Sequence, residues 1–546
     1  MPVVKFKLDR ITEATGLGLE ELEEALFRLK CETSLLDDGR FEVEVNPDRP
    51  DMYALEGIAR AVKGVTGAET GYQPPETVDS GILLEAGHVE TRPYIAAAVV
   101  YNYPVDPDTL EELIQFQEKL HDTLGRRRRK AAIGFHDLDK LPGNTVRYRM
   151  APLSTPMKPL DYPATMTVGW VLEETEQGKK YGSLAAKDGM HPVLEAGDTV
   201  IAAPPVLNSD VTRVEPGTRN LFIDVTGTSP QLVARILDVI VSTLSYRSSV
   251  KVGLVEVKGM PWARTPLLEG KRMELDVGYA SRVLGTQLTP VEAASLLERM
   301  RHRASPREAG VSVEVPPYRV DVLGEIDLVE DIAIAVGYER LGPRRPSRMM
   351  RGAIRHETRL ARKLREILVG LGYTEILQLT LTSPRLVEAA GLADKMLEVA
   401  NPVQQEYSVL RPSLIPSLVH AAAGNIHKAK PVRIFEIGVV AWREDGRVVE
   451  EERLGLAYMS DSAGYEDIQA PVYSLLRLLG IDFTVSPAEH PTLIPGRTAS
   501  ITSGGELLGW MGEVRPEVLA SLGLEYPVAV AELRLEALSS RILGRG

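Results

Sequence analysis

Four carboxylates, Asp321, Asp327, Glu330 and Asp331, fall within eleven positions of this chain. The stretch before them, VSVEV at 311–315, alternates apolar and polar residues as a half-buried strand does. From Glu325 onward Ile326, Val329, Ile332, Ala333 and Val336 trace the apolar stripe of a helix. On that helix Asp327, Glu330 and Asp331 stand at i, i+3 and i+4 and share one face, with Asp321 on the turn leading in. Carboxylates gathered this way repel one another unless something positive neutralises them. A hard cation with oxygen ligands, Mg²⁺ above all, suits such a set. The same spacing has a second reading: Asp327-x-x-Glu330 fits an N-terminal capping arrangement, and acids at a helix start are favoured by the helix dipole. Spacing alone leaves both open.

A second charged feature is Arg126-Arg127-Arg128-Arg129-Lys130. No aromatic residue interleaves with these five cations, so they read as contacts to phosphate rather than to bases; a solvated charged face is the plain alternative. His121 and His136 flank the run as candidate general bases or as hydrogen-bonded structural residues. There is no G-x-x-x-x-G-K-[ST] phosphate loop, no strand-linked G-x-G-x-x-G and no G-x-S-x-G nucleophile elbow. A chain of this size without those sites uses another nucleotide fold or is one part of a larger machine.

At 546 residues the length predicts three or four domains, and 44% hydrophobic with 25% charged residues is ordinary for soluble globular protein. No apolar run approaches the ~20 residues that span a bilayer, and the N-terminus has no signal-peptide architecture. The single cysteine, Cys31, excludes a disulfide framework or thiolate zinc site within one chain. The nine histidines show no metal-binding spacing, and a reducing cytoplasm is the expected compartment. A net charge of −13 means that any nucleic-acid contact must come from local basic patches.

Four segments emerge. Residues 1–75 carry the strand-like VVKFKL, a helix near 19–30, a strand at 41–45 and a helix over 51–67 with a glycine exit; GYQPPETVDSG (71–81) reads as a linker. Residues 82–255 hold the basic run, several strands and an aliphatic helix at 231–245. Residues 265–345 end in the acidic cluster. A proline- and arginine-rich joint at 342–352 leads to residues 353–546, which open on an amphipathic helix bearing Leu360, Leu364, Ile367, Leu368 and Leu371, closed by Gly372.

The string PYRVD at 317–321 with DLVEDIA at 327–333 and GYE at 337–339 resembles the B5 domain of the phenylalanyl-tRNA synthetase β subunit family, archaeal and eukaryotic type. VNPDRPDMYALEGIARAV (45–62) is similar to that family's N-terminal domain. QEKLH, IGFHDLD and NLFIDVTGT resemble its B3/B4 editing domain. TEILQLTLTSP (374–384), ANPVQQEYSVLRPSLIPSLV (400–419), VRIFEIGVV (432–440) and LIPGRTASI (493–501) resemble its catalytic-like domain.

The resemblance implies an α+β multidomain chain: an N-terminal α+β domain, a B3/B4-type editing domain, a B5 domain and a degenerate class II synthetase domain with an antiparallel sheet. It implies Mg²⁺ on Asp321, Asp327, Glu330 and Asp331 near an α subunit in an α₂β₂ assembly, and contacts to tRNA(Phe) by Arg126, Arg127, Arg128, Arg129 and Lys130. It further implies hydrolysis of tyrosine wrongly esterified to tRNA(Phe), in a cytoplasmic enzyme whose α subunit performs the ATP-dependent charging with phenylalanine. Asp224 and Thr226, two apart on a strand, would point to one side and grip the tyrosyl hydroxyl or ammonium, with Asn208 and Ser209 on the facing loop. The plain alternative for D-V-T-G-T is a strand end entering a turn. No G-x-G-x-[DE]-R-like ATP motif is present; Arg411, Glu436 and Arg497 stand as scattered polar positions, read as salt-bridged or surface residues. Two rival readings remain: a non-catalytic tRNA-binding scaffold with a dead editing pocket, and a free-standing aminoacyl-tRNA deacylase.

Overall fold

The runs YIAAAVVY, AAIGFHD and LFIDVTG form the strands Tyr94–Tyr101, Ala131–Asp137 and Leu221–Gly227, which are buried almost throughout. Near-continuous apolar sequence is what strands covered on both faces require. These three lie side by side at one end of a mixed ten-stranded sheet, with 221–227 antiparallel to both neighbours and 131–137 on the outer edge. One face packs on the helices Pro107–Asp122 and Pro230–Leu244; the other closes over a second apolar cluster that includes Ile95, Ala97, Val99 and Phe222. Both helices open on side-chain caps, Asp106 accepting from Thr109 N and Ser229 from Leu232 N, each followed by proline at the first helical position.

The structure is a computed structural model and describes residues 2–343, 345, 352–428 and 430–543. The chain divides into two compact units, Met1–Pro346 and Ser347–Gly546. The joint read at 342–352 falls mostly outside the described residues.

Within the first unit, a three-stranded antiparallel sheet (3–7, 40–44 and 32–35) packs with helices Leu19–Arg28 and Leu55–Thr66, the latter preceded by a short 3₁₀ turn and closed by Gly67 at φ 85°. A second small sheet sets strand Gly310–Val315 between 271–276 and 303–306. The helix expected after residue 325 is Glu325–Val336. Its buried side holds Leu328, Val329, Asp331, Ile332 and Ala333, whereas Ile326, read as part of the apolar stripe, is 49% exposed.

In the second unit, a seven-stranded sheet runs in the order 374–375, 432–444, 447–459, 528–534, 506–514, 493–503, 484–487, antiparallel except for the first pair. Helices His356–Gly370 and Tyr465–Leu478 cover one face and Ile415–Asn425 the other. Leu360, Leu364 and Leu368 are the buried stripe of the first helix, and Gly372 sits at φ 83° just past its end.

Candidate functional site

Each of the four acids near residue 330 already has a protein partner. Asp331 is 3% exposed and turns inward: Arg319 Nη2 donates to both its oxygens at 2.9 and 2.8 Å, and His302 Nε2 lies 2.6 Å from Oδ2. Burial opposes ionisation of Asp331, but the Arg319 charge and the His302 hydrogen bond outweigh it and hold the carboxyl well below its usual range. Asp321 takes Arg319 Nε at 2.9 Å and Nη2 at 2.7 Å. Asp327 Oδ2 accepts the backbone N–H groups of Leu323 and Gly324, both at 2.8 Å, which is the capping arrangement. Glu330 pairs with Lys30 of the N-terminal segment at 3.0 Å.

Among the described residues no group of three or more His, Cys, Asp or Glu side chains could hold a metal ion. Arranged this way, the four acids do not fit a shared hard cation, because Arg319 and Lys30 supply the positive charge and His302 and backbone N–H groups the remaining donors. The network reaches further into the first unit, where Arg49 and Arg60 both bond the fully buried Asp51 and the Arg60 guanidinium lies 3.4 Å over the Tyr318 ring.

Asp224 and Thr226 share one face of strand 221–227, opposite Gly134 and Ala132 of strand 131–137. Both are buried, at 2% and 0% exposure. Asp224 Oδ1 is 3.0 Å from His136 Nε2, and His136 Nδ1 is 2.7 Å from the Thr212 hydroxyl. No other hydrogen bond reaches the Asp224 carboxylate among the described residues, so its Oδ2 is free. Thr226 receives Arg92: Nε to its hydroxyl at 3.3 Å and Nη2 to its carbonyl at 2.8 Å. Arg92 is fully buried and no carboxylate among the described residues accepts from it; its remaining side-chain bond, from Nη1, goes to Arg128 O. Burial pulls this guanidinium down to about 10, opposed by Tyr148 and Asp224, so it stays charged at neutral pH. A buried cation thus stands beside an acid with one open oxygen.

The other residues read as editing candidates hold the frame. Strand 131–137 is an edge strand whose outward backbone groups must be satisfied. Asn208 Nδ2 donates to Phe135 O at 3.0 Å, Gln117 Nε2 to Ile133 O at 2.7 Å, and Ile133 N to His121 Nε2 at 2.8 Å. Ser209 Oγ donates to Lys158 O and accepts from Val211 N. His121 is therefore no general base: its Nε2 lone pair is taken, its other nitrogen faces Glu118 at 3.0 Å, and burial lowers its pKa.

The basic run is a turn rather than a helix, with Arg126, Arg127 and Arg128 at φ 48°, 54° and 61°. Consecutive left-handed residues are strained and persist only when pinned. Arg128 is the pin: it donates to Pro205 O and Val206 O, pairs with Glu118 at 2.6 Å, and lies 4.6 Å over the Tyr181 ring. Arg126, Arg127, Arg129 and Lys130 are exposed. Lys130 O accepts from Thr228 N, which sets this cationic loop at the end of the strand bearing Asp224 and Thr226.

In the second unit Arg411 and Glu436 make a buried pair at 2.8 Å, while Arg497 pairs with Glu513 and is exposed. Glu436, Gly455, Glu532 and Trp510 form one row across four strands. A Cβ on Gly455 would stand 2.6 Å from Leu418 Cδ1, and one on Gly438 2.2 Å from Arg411 Nη2. The chain's own side chains fill this face of the sheet.

The sequence pointed to Asp224, Thr226 and His136 but missed Arg92, Thr212 and Gly134. None of these has a local signature; strand pairing and a loop crossing bring them together.

The family model described as the tRNA synthetase B5 domain matches residues 273–338, and that of the phenylalanyl tRNA synthetase beta chain CLM domain matches residues 344–535. The chain is 57% identical to the phenylalanine–tRNA ligase beta subunit of Aeropyrum pernix over 99% of both chains, and 38% identical to that of Saccharolobus solfataricus over 98% of both. A crystal structure of an N-terminal fragment of the phenylalanyl-tRNA synthetase beta subunit from Pyrococcus horikoshii is 32% identical; it aligns over 62% of this chain and all of the fragment with a TM-score of 0.59. Together with the mixed sheets of the two units, these matches define a multidomain subunit of an aminoacyl-tRNA synthetase, a ligase of protein biosynthesis. The chain belongs to the phenylalanine–tRNA ligase beta subunit family.

Proposed function

We propose that this chain is the β half of an α₂β₂ phenylalanine–tRNA ligase, cytoplasmic, in which the α subunit performs ATP-dependent charging and the β chain binds tRNA(Phe) and removes tyrosine attached in error. The observation that carries the editing half is the Asp224–Thr226 pair on a rigid strand, one carboxylate oxygen anchored and the other open. A single apolar pocket rejects a substrate that merely adds a hydroxyl by only ~10²-fold, so a second site that selects the hydroxyl is useful. Asp224 Oδ2 accepts the phenolic O–H; phenylalanine leaves that oxygen unpaired and is bound less well. The Thr226 hydroxyl accepts from Arg92 and keeps its own proton to donate. The ester then needs a positioned water and donors for the developing oxyanion.

The exposed cations of 126–130 support a role in guiding the tRNA backbone towards this end of the sheet. The filled face around Gly455 and Gly438 supports the division of labour, since it leaves the second unit to pack rather than to bind ATP. Mg²⁺ on Asp321, Asp327, Glu330 and Asp331, which the resemblance implies, would have to displace Arg319, His302 and Lys30, and no step here uses it.

The test is release of tyrosine from Tyr-tRNA(Phe) by the wild-type chain and by Asp224→Ala. Release by the wild type and a fall of about 10²-fold or more in the variant supports editing. The burial of Asp224 and Thr226 favours a second reading, a tRNA-binding scaffold with a closed pocket, and no release by the wild type would support it over editing.

A further inference from the structure

Resting on the editing reading, we infer that His136 is a positioning residue that fixes the Asp224 carboxylate for recognition of a phenolic hydroxyl, with Thr212 and Gly134 as its supports. The order Thr212–His136–Asp224 is that of a hydrolase triad, in which the hydroxyl would be the nucleophile. Here Thr212 is 1% exposed, so its hydroxyl, 2.7 Å from His136 Nδ1, is closed to an ester. The atom left open at the other end is a carboxylate oxygen. The array therefore holds an acceptor still rather than activating an attacking group.

The hydrogen-bond logic fixes the ring. A carboxylate only accepts, so Nε2 carries the proton towards Asp224; in the neutral ring Nδ1 accepts the Thr212 O–H. His136 itself is fully buried, and its ring is tilted 47° against Phe222 with centroids 5.9 Å apart, so it has little freedom to swing. Gly134 supplies the space. It is the residue directly opposite Asp224, and a Cβ there would stand 2.2 Å from Asp224 Oδ1 and 2.9 Å from His136 Nε2. Any other residue would push the carboxylate off the strand and break its bond to the imidazole.

The experiment measures hydrolysis of Tyr-tRNA(Phe) and Phe-tRNA(Phe) by the full-length chain and takes the ratio of kcat/KM within each variant, so that a reduced folded fraction cancels. His136→Leu should lower the Tyr-over-Phe ratio about tenfold, mainly through KM for the tyrosyl substrate, the usual worth of one buried hydrogen bond. His136→Gln, which keeps an N–H near the Nε2 position, should recover most of that ratio. Gly134→Ala should behave as His136→Leu, and Thr212→Val should fall between. An unchanged ratio in His136→Leu, or a glutamine variant as poor as the leucine one, overturns the positioning role. A wild-type chain that releases neither amino acid overturns the editing reading itself, and this role with it.

Discussion

Replacing Asp331 by Asn removes one negative charge from a buried cluster while keeping the side chain's shape. In the native chain Arg319, Arg49 and Arg60 face Asp331, Asp321 and Asp51, and all of these but Asp321 are less than 10% exposed. Asp331→Asn leaves that set one positive charge in excess and gives Arg319 and His302 a neutral acceptor. Breaking a buried pair by removing one partner destabilises by ~3–5 kcal/mol. At the ~2 °C per kcal/mol of a unit this large, the first unit should melt ~6–10 °C lower in differential scanning calorimetry at neutral pH. The pH dependence has a definite sign. The folded carboxyl ionises well below its ordinary value. Its contribution is therefore fully present above the unfolded value of ~4 and is lost as pH falls further, so the gap between wild type and variant should close below about pH 4. EDTA provides the contrast: carboxylates neutralised by arginine predict no change in wild-type melting. A variant as stable as the wild type, or a wild type that melts several degrees lower in EDTA, would refute this reasoning.

Further outcomes follow from single residues. Asp238 is buried, with Leu267 N and Leu268 N as donors, and burial raises its pKa to about 7, so its folding contribution is full below the unfolded value near 4 and is lost as pH rises through 7. Asp238→Asn should match wild-type melting at pH 4 and exceed it at pH 8, by on the order of 1–3 kcal/mol in denaturant titrations. Arg127→Ala should leave melting unchanged and lower the log–log salt slope of tRNA binding by about 1. Arg128→Ala should instead lower the melting temperature, because its guanidinium holds the 204–206 loop, Glu118 and Tyr181.

The local elements near the acidic cluster were legible because each is written in one short period: the 310–315 strand by alternation, the 325–336 helix by its 3.6-residue stripe. The direction of the charges was not. Asp331 sits on the same helical stripe as Asp327, yet its partners Arg319 and His302 come from two other segments, and that makes it a core residue while Asp327 caps. Ile326 was read inward for the same reason; nothing local says that the packed side begins at Leu328. In the large sheet, Asp224 and Thr226 on one side follow from period two. Their neighbours do not, because the pairing of 221–227 with 131–137 spans some ninety residues and only the register puts Gly134 opposite Asp224. Arg128 was indistinguishable from its four cationic neighbours, and only its buried contacts separate a structural arginine from four exposed cations.

The claim that this chain's own chemistry is hydrolytic rather than synthetic is tested most directly by following the acylation state of tRNA(Phe) with the isolated full-length chain. The account predicts that Tyr-tRNA(Phe) is returned to free tRNA, faster with wild type than with Asp224→Ala, while uncharged tRNA supplied with phenylalanine and ATP stays uncharged. Phenylalanine appearing on the tRNA, or a tyrosyl ester that decays no faster than in buffer, would contradict it.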